Sequence, residues 1–266
     1  MSDPRPQPLP ENFAVPLGRV VNRLGVFGHK VRWYPTVAST NDIAAAWAER
    51  GAGEGCTVVA NSQSAGRGRQ GRVWTSPAGA GLYVSTVVRP TGPVIPLLTI
   101  AAGVALAEGI QTATGLVSDL KWPNDVFING RKVAGVLAEA TSSQTGICVV
   151  LGFGINVSAA VYPREIADLA TSLEREAGVS VARGNVLAEC LCGLAQRYQQ
   201  LTDGQRGEVL DAWRGRAVAM TGRCVQWSEV GGIREGTAEG IDDSGALVVR
   251  TDAGPARVTA GEVRWL

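Results

Sequence analysis

Histidine is nearly absent from these 266 residues: there is one, His29. An HExxH zinc-protease helix, a histidine-rich metal site and the HRD loop of protein kinases all need histidines that the chain lacks. A Ser-His or Cys-His nucleophile would have to use His29, which stands between Gly28 and Lys30. No nucleophile elbow lies near it, so a surface histidine is expected. Cysteine is scarce and odd in number. Cys56, Cys148, Cys190, Cys192 and Cys224 contain no CxxC pair, and they read as reduced thiols of a cytoplasmic protein rather than a disulfide framework or zinc site. An excess of one charge sign is missing too. With 25 basic against 24 acidic residues the formal charge is +1, which argues against a general nucleic-acid coat while permitting a local basic patch. Long apolar runs are also lacking. Stretches such as Thr99 to Ala107 are short and interrupted, so no bilayer span is expected. Met1 to Pro16 is polar and proline-rich, with no apolar run behind a basic start, and does not read as a signal peptide.

The basic residues are 22 arginines and only three lysines: Lys30, Lys121 and Lys132. Lysine carries a compact, mobile ammonium and arginine a planar fork, and the two are not interchangeable at a tight site. Lys121 and Lys132 lie 11 positions apart, a hint of one shared site, although three lysines must fall somewhere.

Residues 1 to about 30 read as a loose, proline-broken arm. Val31 to Tyr34 alternates as a strand does, and Ser39-Thr40-Asn41-Asp42 supplies helix N-caps ahead of a helix from Ile43 to Glu49. Strands are expected at Cys56–Ala60 and Leu82–Arg89, followed by a long apolar helix from Pro96 to about Thr114. Three more strands follow at Ser118–Trp122, Asp125–Ile128 and Lys132–Ala140, with Asn129-Gly130 a strong hairpin turn. Gly146 to Phe153 continues the sheet, and the stretch from Pro163 to about Trp213 reads as helical. Beyond Met220 the texture changes to short strands with Gly and Asp turns, which suggests a small appended barrel. Strands joined largely by hairpins favour an α+β domain with a mixed β-sheet over a doubly wound parallel one. The expected division is an arm over 1–30, a main domain over 31–217 and a small domain over 218–266.

Gly66-Arg-Gly-Arg-Gln-Gly-Arg72 is the most distinctive segment. As a bare GxGxxG it fits a dinucleotide fingerprint, but Val73-Trp-Thr-Ser-Pro77 cannot open the required helix, and no acidic residue stands about 20 positions on. With Val73 it also fits the kinase glycine loop, which the missing HRD and DFG motifs exclude. No GxxxxGK[ST] loop exists. What remains is a flexible cationic loop whose N–H groups and guanidinium forks suit a phosphate or carboxylate, or simply an exposed, solvated one. Trp74 behind it could stack on a ring or belong to the core. Lys121-Trp-Pro-Asn-Asp125 ends one strand and begins another, and Pro123 interrupts the ladder. Asn124 and Asp125 could hold Mg²⁺ or bind an amine, or form a turn and nothing more. Lys132 opens the next strand, as an edge charge or as a site residue.

Taken together, five segments resemble the bacterial biotin protein ligases. They are Ser39-Thr-Asn41, Gln63 to Trp74, Lys121 to Asp125, Arg131-Lys-Val-Ala-Gly-Val-Leu-Ala-Glu139 and Gly152-Phe-Gly-Ile-Asn-Val157. Their order and spacing match over about residues 31 to 160, and the tail resembles that family's SH3-like C-terminal domain. The resemblance implies an enzyme that makes biotinyl-5′-AMP from biotin and ATP, then passes biotin to a lysine of a biotin carboxyl carrier domain. It implies that Ser39, Thr40, Asn41 and Gln63 line the biotin pocket. Arg67, Gly68 and Arg69 would lie in the loop that closes over biotin and the adenylate. Lys132 would meet the acyl end, and Lys121 would stabilise charge at the α-phosphate, with Arg67 and Arg69 as further catalytic cations. Trp74, Lys121, Asn124 and Asn156 would serve the nucleotide, with Mg²⁺ as cofactor and Asp125 as its ligand.

Only 38 residues precede Ser39, too few for the winged helix-turn-helix of about 60 residues that some relatives carry. The resemblance is therefore to the monofunctional kind, with neither DNA nor membrane as partner. Monomer and homodimer both fit. A lipoate ligase or octanoyltransferase is the nearest alternative enzyme. A biotin-responsive repressor and an RNA-binding module are alternatives of another class, and either would bind nucleic acid with strong salt dependence.

Overall fold

The computed structural model describes residues 5–28, 30–143, 146–159, 163–229 and 232–266; His29 lies outside them. Seven strands form one mixed sheet: β1 (Val31–Tyr34), β2 (Thr57–Ala60), β3 (Gly81–Val88), β4 (Asp119–Lys121), β5 (Asp125–Ile128), β6 (Arg131–Ser143) and β7 (Gly146–Asn156). Their spatial order is β1-β2-β3-β7-β6-β5-β4. Only the β1–β2 pair is parallel, crossed over by helix α2 (Thr40–Glu49); the other neighbours are antiparallel. Asn129 and Gly130 take φ of 50° and 75° at the β5–β6 turn, the left-handed pair that a two-residue hairpin requires.

Strand alternation sorts side chains onto two faces. On β2, Val58 and Ala60 pack with Ala44 and Ala48 of α2, while Val59 joins the larger core on the opposite face. That core holds α3 (Leu98–Thr114) and α5 (Arg183–Thr202), with the short α4 (Leu173–Ala177) and α6 (Arg206–Arg214) contributing Leu173, Val209 and Trp213. The apolar segment Val94–Thr114 runs longer than the sequence led us to expect, with 21 residues and a mean hydropathy of 1.7. Length and composition alone would let it cross a membrane. Here 72% of its most apolar window is buried inside the fold, as the core helix of a packed domain.

Two sequence expectations need correction. The stretch read as a loose arm contains a helix, α1 (Glu11–Arg19), and two 3₁₀ turns that bury Phe13, Leu17, Leu24 and Phe27. Pro10 is the N-cap, where a proline is tolerated, while Pro16 sits inside the helix and removes the N–H that would bond Asn12 O. The second correction concerns the stretch from Pro163, which becomes helical only at Leu173. Before that its backbone is engaged elsewhere: Lys132 N–H donates to Leu169 O (2.8 Å) and Thr171 N–H to Lys132 O (2.9 Å).

The tail forms a separate antiparallel sheet from β8 (Cys224–Glu229), β9 (Gly232–Ile241), β10 (Leu247–Thr251), β11 (Gly254–Val258) and β12 (Val263–Trp265), in the order β11-β10-β9-β8-β12. This is the small SH3-like unit. Trp122, at the end of β4, is buried and donates its indole N–H to Gly245 O at 2.9 Å. The tryptophan of the Lys-Trp-Pro-Asn-Asp segment is thus a joint between the two sheets.

Candidate active site

On the face of the sheet that carries α2, the apolar row of β7 changes character. Cys148 and Val150 pack under the helix, and the next residues on that face are Gly152, Gly154 and Asn156. The partners of the two glycines in register are Leu137 and Gly135 on β6 and Ser85 and Tyr83 on β3, and Asn156 pairs with Gly81. Replacing side chains by glycines beyond the N-terminus of α2 leaves a cavity of about 800 Å³, within the range of small-molecule sites. Its two ends differ in chemistry.

The first end is uncharged and internally bonded. Ser39, Thr40 and Asn41, at the start of α2, are all buried. Ser39 occupies the N-cap position in extended conformation but makes no side-chain cap bond, so its hydroxyl remains for other use. Gln63 Oε1 accepts from Thr40 N–H (2.8 Å) and Thr40 Oγ1 (3.1 Å), and Gln63 Nε2 donates to Ser76 Oγ (2.9 Å). The Ser85 hydroxyl lies 2.7 Å from Thr40 Oγ1 and 2.5 Å from Asn41 Oδ1, and Asn41 Nδ2 donates to Glu139 Oε2 at 2.5 Å. Gly152 is required here, because a Cβ on it would stand 2.1 Å from Asn41 Oδ1.

The second end is cationic. Lys132 Nζ lies 2.6 Å from Asp125 Oδ1 and 5.4 Å from the centre of the Trp74 ring. Lys121 Nζ sits 4.8 Å from the ring of Trp265 and 5.7 Å from that of Phe127. Burial pushes the Lys121 ammonium below the ordinary lysine range, with Asp125 and Glu262 opposing the shift. Arg69 is pushed down by burial in the same way. Arg72 pairs with Glu262, which ties the glycine-arginine loop to the C-terminal sheet. Trp74 packs closely against the floor, since a Cβ on Gly154 would come within 2.4 Å of its ring.

Among the described residues, four buried side-chain polar atoms lack a hydrogen bond, and three of them, Trp74 Nε1, Asp125 Oδ1 and Trp265 Nε1, belong to residues lining this cavity. Asp125 Oδ1 has Lys132 at ion-pair distance but without hydrogen-bond alignment. Orphaned polar atoms are rare in folded proteins; their concentration here marks a place for a polar ligand to complete.

Every residue anticipated for the site lines this cavity: Ser39, Thr40, Asn41, Gln63, Arg67, Gly68, Arg69, Trp74, Lys121, Asn124, Asp125, Lys132 and Asn156. Several are already occupied. Arg67 holds Asp42 (2.6 Å) and Glu139 (3.2 Å), so its charge is balanced beside the uncharged end. Asn124 Nδ2 donates to Val136 O (2.6 Å) and Asn156 Nδ2 to Thr171 O (3.0 Å). Among the described residues no group of three or more His, Cys, Asp or Glu side chains could hold a metal, and Asp125 faces Lys132. Mg²⁺ is usually held by one or two carboxylates together with substrate phosphates, and Asp125 is the one carboxylate anticipated for that role. Sequence reasoning missed Ser85, Phe127, Glu262 and Trp265. Ser85 had a readable signal, a polar residue within the apolar strand Leu82 to Val88. The last two reach the cavity only through the fold.

Comparison with known proteins agrees with this arrangement. Residues 33–156 match the Biotin/lipoate A/B protein ligase family, and residues 229–264 match the Biotin protein ligase C terminal domain. The bifunctional ligase/repressor BirA of Bacillus subtilis is 35% identical over 243 residues, covering 90% of this chain and 74% of the relative. The biotin–[acetyl-CoA-carboxylase] ligase of Paracoccus denitrificans is 37% identical over 220 residues, covering 77% and 88%. The biotin protein ligase from Aquifex aeolicus, solved in complex with biotin and ATP, superimposes with a TM-score of 0.79 at 28% identity, covering 90% of this chain and 99% of that one. With its glycine-floored cavity, two-ended chemistry and SH3-like tail, the chain belongs to the biotin protein ligase family.

Proposed function

We propose that this protein activates biotin with ATP to biotinyl-5′-AMP and transfers the biotin to a lysine of a biotin carboxyl carrier domain, in the cytoplasm, where its five free thiols would stay reduced. The carrying observation is the cavity itself, uncharged at one end and cationic at the other.

A neutral, heteroatom-rich ring suits the first end, where Ser39, Thr40, Asn41 and Gln63 present hydroxyl and amide groups. The glycine floor and Trp74 suit the apolar body of the same molecule. Its carboxylate then reaches toward Lys132 and Lys121. A carboxylate oxygen attacks the α-phosphorus of ATP, the new acyl–phosphate bond forms, and pyrophosphate leaves with the bonding electrons. Fixed cations at that point stabilise the charge gathered on the phosphoryl oxygens. Lys121 fits this role well, because a partly desolvated ammonium interacts more strongly than an exposed one. In the second step the acceptor lysine amine, as the free base, attacks the acyl carbon and AMP departs. An acyl-adenylate hydrolyses readily, so the site must exclude water meanwhile. The glycine-arginine loop, tethered by Arg67 on one side and Arg72 on the other, is the segment placed to do so. Asn124 and Asn156 offer their remaining carbonyl oxygens to the nucleotide.

Biotin-dependent ATP–pyrophosphate exchange, run beside lipoate and octanoate, tests the reading. Exchange with biotin that is lost in Lys121→Ala and weakened in Arg67→Ala is the expected result. Exchange only with lipoate or octanoate would move the assignment to the sister enzymes, and silence with all three acids would remove it.

A further inference from the structure

One buried carboxylate outside the cavity joins two segments that border its cationic end. The Glu176 side chain is only 4% exposed. It accepts hydrogen bonds from Thr171 Oγ1, from Asn129 Nδ2 (2.7 Å) and from Arg131 Nη2 (2.7 Å). Asn129 lies in the β5–β6 turn and Arg131 follows it, immediately before Lys132. Thr171 belongs to the non-helical segment whose Ile166, Leu169 and Ala170 form one wall of the cavity. Between the two segments the backbone of Lys132 is gripped from both sides: its N–H donates to Leu169 O and its C=O accepts from Thr171 N–H. Burial alone would raise the Glu176 carboxyl, but the bonds from Thr171 and Asn129 and the charge of Arg131 hold it below the usual range.

We propose, resting on the ligase reading above, that Glu176 is a positioning residue: it latches the β5–β6 turn to the 163–172 wall and thereby fixes Lys132 and that wall at the cationic end, where the biotin carboxylate meets the nucleotide. The uncharged end, built from the start of α2, Gln63, Ser76 and Ser85, shares none of these bonds, so the latch acts where the two substrates react and not where the biotin ring is held. A carboxylate suits the task because three donors converge on it from two chain segments. A buried charge bonded in this way holds geometry firmly, provided each partner stays in place.

The test is steady-state pyrophosphate exchange with Glu176→Ala, Glu176→Gln and Asn129→Gly, alongside calorimetric biotin binding. Asn129→Gly removes one donor while glycine keeps the positive φ, and it serves if the Glu176 variants do not fold. A loss of positioning of this kind costs about tenfold or more. We therefore expect the KM for ATP to rise by about that factor in Glu176→Ala, and less in the other two, while biotin affinity, set mainly at the uncharged end, falls by a smaller factor. A merely structural loss would weaken both substrates together. An unchanged KM for ATP in a folded variant, or an equal loss of biotin binding, overturns the inference while leaving the ligase reading intact. Absence of exchange in the parent protein would overturn the ligase reading and, with it, the nucleotide role of the latch.

Discussion

The two ends of the cavity solve the problem of burying polar groups in opposite ways. At the uncharged end, Thr40, Asn41, Gln63, Ser76 and Ser85 bond to one another, so the surface is already in place before any ligand arrives. At the cationic end, Lys121, Lys132 and Arg69 crowd around Asp125 and Glu262, and all three orphaned polar atoms of the cavity come from Asp125 and two tryptophans. Preorganised hydrogen bonds give selectivity for a neutral ligand with little reorganisation. Like charges held close together are costly until an anion joins them. The difference points to an end that recognises and an end that reacts.

The largest expected effect breaks the second end alone. Lys121→Ala should lower the exchange rate by about 10²–10³-fold, the usual loss when one fixed electrostatic contact to a transition state is removed. Calorimetry should find biotin binding within about twofold of the parent. An equal loss of biotin affinity would mean that the two ends are not separate. Gly152→Ala breaks the first end. The added methyl would stand 2.1 Å from Asn41 Oδ1, and overpacking of this kind costs about 1–3 kcal/mol. Biotin affinity should fall by roughly 10–100-fold, with the KM for ATP at saturating biotin little changed.

Much of this fold is legible in the sequence because local rules decide it. The β5–β6 hairpin follows from Asn129-Gly130, and α2 follows from its polar start and alanine-rich body. The opposing faces of β2 follow from alternation. The N-terminal helix is hidden because proline dominates its surroundings, while its role depends on Phe13 and Leu17 meeting a core made by residues far along the chain. The site is legible at its five motifs but not at its closing contacts. Arg72 and Glu262 meet across 190 residues, and nothing in the pattern near Trp265 announces that it will lie over Lys121. The pairing of Asp125 with Lys132 was within reach, because the two flank one hairpin.

A finer contrast between the ends is electrostatic. Beside the uncharged end Arg67 is paired with Asp42 and Glu139 and stays charged, whereas burial lowers the Lys121 ammonium. Lys121 acts in its charged form, so the rate should fall as pH rises through its depressed value, earlier than for an ordinary lysine. A pH profile of exchange at saturating substrates should therefore have an alkaline limb assignable to Lys121. In Lys121→Arg, whose guanidinium stays charged, any residual rate should lose that limb. A limb that persists at the same pH in the arginine variant would assign it to another group.

The smallest effect concerns the contact by which the C-terminal sheet closes the cationic end. The Arg72 and Glu262 side chains are 57% and 32% exposed, and pairs this open contribute about 0.2–1 kcal/mol. Glu262→Gln should therefore shift the melting temperature little. The pair's position matters more than its energy, since it fastens the glycine-arginine loop to a different sheet from the one that holds Arg67. Loosening that side alone should let biotinyl-AMP escape or hydrolyse faster while its formation continues. The check is single-turnover release of biotinyl-AMP beside the exchange rate. Faster release with unchanged exchange would place loop retention at the Arg72 side. Parallel losses in both would instead show that Glu262 acts through its charge on Lys121 and Arg69 rather than by holding the loop.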